Sequence, residues 1–151
     1  MQRNIEIVQA LIQAMETGDL AALDLLCRPD FKAHFNGTDL NLAQVRATAA
    51  SFIEAFADLK HSIRSIEADG DHVRLHALVT TAHRGTYKGI PATNRKVQFE
   101  TTATYRIESG KIVEVWQQMD VDGLLGQIRA GAGHVSTKSL SRRERVPRSG
   151  G

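Results

Sequence analysis

Little in this sequence invites the chemistry of disulfides, metals or phosphates. There is one cysteine, Cys27, in 151 residues, which excludes an intrachain disulfide and any cysteine-built metal site. It follows Leu25 and Leu26, the setting of a buried structural thiol rather than a nucleophile. No apolar run approaches the roughly 18–20 residues that cross a bilayer. The first fifteen residues mix Arg3, Glu6 and glutamines among apolar positions, which is an amphipathic helix and not a secretory signal. The expected compartment is the cytoplasm. There is no P-loop, no Gly-x-Ser-x-Gly elbow and no helical His-x-x-x-His pair. His72 and His76 are four apart on a strand pattern, about 13 Å at strand rise, too far to share a metal. Neither a cofactor nor a metal is expected.

Excess charge is also scarce. The formal net charge is +2, and residues 131–151 alone contribute +4, from Lys138, Arg142, Arg143, Arg145 and Arg148 against Glu144. The first 130 residues therefore carry −2, and a basic groove for nucleic acid has nothing to be built from. Neither nucleic acid nor membrane is an expected partner. The chain reads as one domain over residues 1–130 and a basic, disordered tail over 131–151, rich in Ser and Gly.

What is present is periodicity. Ile5, Val8, Leu11, Ile12 and Met15 share a helical face, and Thr17-Gly18-Asp19 stops that helix. A short leucine-rich piece, residues 20–26, is ended by Pro29. Residues 31–35 form a short strand closed by the Asn36-Gly37 turn, and Leu42, Val45, Ala49, Phe52, Ile53 and Phe56 stripe a helix over residues 41–57. Strands follow: 62–68, then 73–83 after the Asp69-Gly70-Asp71 turn, a long hairpin connection through Gly89 and Pro91, then 97–107 and 111–120. Helices first and strands after predict an α+β fold, a curved antiparallel sheet packed on the N-terminal helices, with a hollow between the layers for a small ligand.

On the last strand Trp116, Gln118 and Asp120 share a face. A carboxylate beside an indole on the concave side would be desolvated and raised in pKa, as a general acid/base requires. Asp120 is equally placed to cap a helix starting near Val121, and the spacing leaves the two roles level. His83, on the apolar face of its strand, and His34 are each able to line the hollow or to be ordinary core or rim histidines. Tyr87, Tyr105 and Gln118 are further candidates to hydrogen-bond a ligand.

Three stretches, Phe56-Ala57-Asp58-Leu59, residues 81–93 (Thr-Ala-His-Arg-Gly-Thr-Tyr-Lys-Gly-Ile-Pro-Ala-Thr) and residues 105–116 with Asp120, together resemble the SnoaL-like polyketide cyclases, or ester cyclases, of the nuclear-transport-factor-2-like superfamily. The resemblance spans about residues 4–128. It implies a cone-shaped, cystatin-like α+β barrel and cofactor-free, intramolecular aldol-type ring closure or isomerisation of a small polyketide-like carbonyl compound. It also implies Asp120 as the acid/base, Trp116 as a pocket wall, and His34 and His83 as hydrogen-bonding residues. Ala57, Ala92 and Asn94 replace the Pro, Pro and Gly of the family pattern, and strand 97–107 lacks the histidine that cyclases often carry there. Expected partners are a small apolar or aromatic molecule in the pocket and further copies of the chain, in a homodimer or larger homo-oligomer. The competing functions are a non-catalytic ligand-binding or dimerisation module and an epoxide-hydrolase-like enzyme on the same scaffold.

Overall fold

The computed structural model describes residues 2–136. Helix α1 (Gln2–Thr17) buries Val8 and Ile12, as its stripe requires. It ends at Gly18, whose φ of +76° is the left-handed conformation that terminates helices and that glycine adopts without strain. A five-residue α2 (Ala22–Leu26) leads into β1 (Cys27–Phe35). The strand therefore starts earlier than residue 31 and runs through Pro29. The register of β1 shifts between Cys27 and Lys32, and this irregularity is where a residue without an N–H fits. The Asn36-Gly37 turn, with both φ values positive, closes a hairpin onto β2 (Thr38–Asn41), a strand too short and polar to announce itself.

Helix α3 (Leu42–Ala55) opens with a capping box: Asn41 accepts from the Gln44 amide at 2.9 Å and donates its own to the Gln44 side chain at 2.8 Å. It stops two residues before the expected end, because Phe56 already begins β3 (Phe56–Asp69). That strand is twice as long as its periodic part suggests. Asp58, at φ +57°, takes up the register shift between Ala57 and Lys60. Strands β4 (His72–His83), β5 (Lys96–Glu108) and β6 (Lys111–Met119) continue the meander. Helix α4 (Val121–Ser136) then extends six residues into the segment expected to be a tail; residues 137–151 lie outside the described residues.

The six strands form one sheet in the order β2-β1-β6-β5-β4-β3. Every pairing is antiparallel except β1 with β6, which is parallel. Helices cover one face, giving the α+β architecture that the sequence order predicts. Two apolar clusters lie under them. One joins Val8 and Ile12 to Val73, Leu75, Tyr105 and Ile112; the other joins Phe56, Val79, Phe99, Leu124 and Ile128. Cys27 sits in the first, and burial pushes its thiol up to about 11, as for a structural cysteine.

Strand β6 pairs with β5 only from Thr101 onward, so residues 96–100 would present an open edge. The Gln127 side chain of α4 closes it, accepting from the Gln98 amide at 3.0 Å and donating to the Gln98 carbonyl at 2.7 Å. Replacing Gln127 by Ala removes both bonds. The expected loss is about 1–2 kcal/mol of stability, with faster hydrogen exchange at the Gln98 amide; unchanged exchange there would show that α4 is held by its apolar contacts alone.

Candidate functional site

The residues singled out from the sequence divide between the two faces of the sheet. On the helix-covered face, His83 ends β4 fully buried. Thr93 holds its ring: the Thr93 amide donates to Nδ1 at 3.3 Å, and the Thr93 hydroxyl lies 3.0 Å from the same nitrogen. Nδ1 is thus an acceptor and Nε2 carries the proton of the neutral ring. Nε2 is buried without a hydrogen-bond partner, an arrangement that costs about 1–3 kcal/mol. Burial holds the imidazole below its usual 6.5, although the Gly85 and Ile90 carbonyls facing the ring act in the opposite sense. Phe56 packs on the ring at 5.3 Å. Tyr105, on the same face, is 6% exposed beside the other apolar cluster, and burial raises its hydroxyl pKa. Between the clusters Gln117 is half-buried, and its Nε2 donates to the Thr101 hydroxyl at 3.3 Å.

Trp116, Gln118 and His34 occupy the outer face. The concave placement expected for Trp116 is not what the structure holds. Strand alternation correctly groups Trp116 with Gln118, but the helices cover the opposite parity, Val113 and Val115. Trp116 is 40% exposed, stacked on His34 at 5.4 Å and facing His72 at 6.2 Å. It lines an open groove of about 640 Å³ with His34, Arg74, His76, Thr104 and Gln118.

His34 is the best-held side chain of this face. Its Nδ1 lies 2.7 Å from Asp39 Oδ1 on β2 and its Nε2 2.6 Å from Glu114 Oε2 on β6. Two carboxylates, Glu114 first, raise its pKa above 6.5, and the same contact lowers that of Glu114. Arg106 continues the chain of charges to Glu114 at 3.0 Å and to Glu108, and Arg28 joins Glu108 to Asp30. Sequence reasoning missed Glu114, Asp39 and Arg106 because their meeting depends on the parallel register of β1 and β6. Thr93 was missed because its hydroxyl reaches His83 across a loop.

Asp120 stands just past β6 and is exposed. Its backbone amide donates to the Glu100 carbonyl at 3.2 Å, and its carbonyl accepts the first bond of α4 from Leu124 at 3.1 Å. Its Oδ1 accepts from the Gly123 amide at 3.0 Å. This is the helix cap that the sequence left level with catalysis, and the shared desolvated hollow with Trp116 is absent. A Cβ on Gly123 would lie 2.3 Å from Asp120 Oδ2, so the glycine makes room for the carboxylate. Asp120 and His83 do not form one constellation. Glu100 pairs with Leu78, five residues short of His83, about 16 Å along the strand. Among the described residues no cluster of His, Cys, Asp or Glu is arranged to hold a metal ion, and no helix is long and apolar enough to cross a membrane.

The two histidines give opposite linkage. His34, raised, adds stability that is complete below 6.5 and is lost as pH climbs through its folded-state value. His83, lowered, adds stability that is complete above 6.5 and is lost as pH falls toward its folded-state value. Side-chain NMR titration should place His34 above and His83 below 6.5, and their joint contribution should peak near that pH. Midpoints in the reverse order would refute both environments.

The profile described as SnoaL-like polyketide cyclase matches residues 5–128. No curated protein matches the chain. Among solved structures, AclR, a proposed hydroxylase of Streptomyces galilaeus, is 25% identical with a TM-score of 0.80 over 86% of this chain and 98% of its own. A proposed SnoaL-like polyketide cyclase of Jannaschia sp. CCS1 is 22% identical, TM-score 0.78, over 85% and 93%. IdmH, a proposed polyketide cyclase of Streptomyces antibioticus, is 24% identical, TM-score 0.75, over 83% and 98%. The last two establish likeness of fold. With the family profile covering both apolar clusters, the whole sheet and Asp120, the chain belongs to the SnoaL-like polyketide cyclase family.

Proposed function

We propose that the chain is a cofactor-free enzyme of cyclase or isomerase type, acting on a small polyketide-like carbonyl compound with Asp120 as its acid/base. The observation that carries this reading is the Asp120 carboxylate in a chain of this family. One oxygen is fixed by the Gly123 amide, while no hydrogen bond is found to the other among the described residues. A carboxylate held by one oxygen is oriented, and its second oxygen is available to a proton. In an intramolecular aldol step that oxygen takes the proton from the acidic carbon. The resulting enolate, stabilised by the substrate's own conjugation, forms the carbon–carbon bond to the second carbonyl. The new alkoxide then takes the proton back. Gln117, three residues earlier, keeps one amide N–H beyond its bond to Thr101 and is suited to hold a carbonyl oxygen. A substrate on this side of the sheet could meet His83 or Tyr105, whereas His34, Trp116 and Gln118 serve only a ligand or second copy on the outer face.

A second reading, a non-catalytic ligand-binding or dimerisation module, is favoured by the cap itself and by Trp116 exposed in the outer groove. A homodimer through that face belongs to this reading. Asp120→Asn separates the two, because Asn caps a helix about as well as Asp and should shift stability by less than about 0.5 kcal/mol. Cyclisation of a poly-β-keto ester should fall by at least about a hundredfold if Asp120 is the acid/base. Turnover unchanged in the folded variant would remove the catalytic assignment.

A further inference from the structure

The chain is poor in aromatic residues, five Phe, two Tyr and one Trp, yet four of them converge beneath a single hairpin. Phe52 stacks on Phe56 at 4.5 Å and meets Phe99 edge-on at 6.0 Å. Tyr87, from the hairpin, sets its ring edge-on against both Phe52 at 5.8 Å and Phe56 at 5.0 Å. Phe56 in turn packs on His83, whose Nε2 is the one buried side-chain nitrogen or oxygen found without a hydrogen bond among the described residues. A tightly packed apolar core has no need of a histidine there; a leucine would fill the space without an unmet donor.

The hairpin itself, residues 84–95, is lightly built. Its one internal ladder contact is the Tyr87–Ile90 bridge, with backbone bonds in both directions at 3.0 and 2.9 Å. Its tip, Lys88-Gly89, is exposed and left-handed, and a side chain at Gly89 would touch nothing within 4 Å. At its base the Arg84 and Gly85 amides share the Ala55 carbonyl, and the Asn94 amide bonds the His83 carbonyl. The base is therefore anchored while Tyr87, only half-buried, is held mainly by its ring contacts.

We propose that residues 84–95 are a lid, and that Tyr87 is a plug standing where a planar aromatic ligand binds, with the ligand's carbonyl or hydroxyl oxygen accepting the proton of His83 Nε2. Displacing Tyr87 exposes the edge of Phe52 and the face of Phe56, two surfaces already arranged for an aromatic ring. It also gives the unmet donor a partner, which rewards a ligand carrying an acceptor over a plain hydrocarbon. This seat lies about 16 Å along the sheet from Asp120, and it does not depend on Asp120 being catalytic.

The fluorescent naphthyl ketone prodan tests it on the full chain. Prodan should bind one to one, and its saturating addition should move the side-chain nitrogen NMR signal of His83 Nε2 in the unsubstituted protein. Tyr87→Ala should bind about tenfold more tightly, because the closed plug no longer competes with the ligand. His83→Phe, which keeps the ring but not the donor, should bind about tenfold more weakly. Absence of binding to both the parent chain and Tyr87→Ala would overturn the proposal. So would binding that saturates while the His83 signal stays in place, a readout that stands even if His83→Phe does not fold.

Discussion

The parallel contact of β1 with β6 is the constraint on which the remaining architecture depends. The chain builds its N-terminal half from α1, α2, the β1–β2 hairpin and α3, and its C-terminal half from a four-strand meander. Nothing local joins the two. The join is made when β6, the last strand, inserts between β1 and β5. His34 reinforces it by bridging Asp39 and Glu114, side chains from the strands on either side of β1. Charge-assisted bonds at this spacing are among the stronger polar contacts available. Here they link residues 80 positions apart in sequence, where the entropy of ordering the intervening chain must be overcome.

That join also decides which side of the sheet is wet. Once β6 is central, Val113 and Val115 face the helices, and Glu114, Trp116 and Gln118 are committed to the outside. Asp120 lies where this alternation ends and a helix begins. Its cap bond organises the start of α4, and Gln127 of the same helix then covers the open edge of β5. Capping and proton transfer are compatible in one carboxylate, since the first uses one oxygen and the second needs the other.

Much of this was legible in the sequence. The stripe Val8-Ile12, the alternation Val73 to Thr81 and the turns at Asn36-Gly37 and Asp69-Gly70 gave the elements, because each is a short-range pattern with its own period. His83 was correctly set on an apolar face for the same reason. The short β2, the true length of β3 and the early end of α3 were not legible. Their limits are fixed by pairing with β1 and β4 and by the left-handed Asp58, all of them long-range or conformational facts. Period-two alternation says which residues share a face, but not which face the helices cover. An indole is a natural guess for the covered one, and here that guess failed.

The placement of Trp116 outside has a consequence for the inside. With the single tryptophan spent on the open face, the helix-covered side depends on Phe52, Phe56, Phe99 and Tyr87 for its large rings. One of these four comes not from a helix or strand but from a hairpin anchored only at its base. Part of the second apolar cluster is thus filled by a side chain the fold can withdraw without breaking a sheet ladder. The same region holds a buried imidazole with a donor unmet. A core that was only structural would gain by replacing His83 and by taking its ring from a helix. That neither is so makes this end of the molecule the place where packing has been kept below its optimum, and a binding site requires such slack.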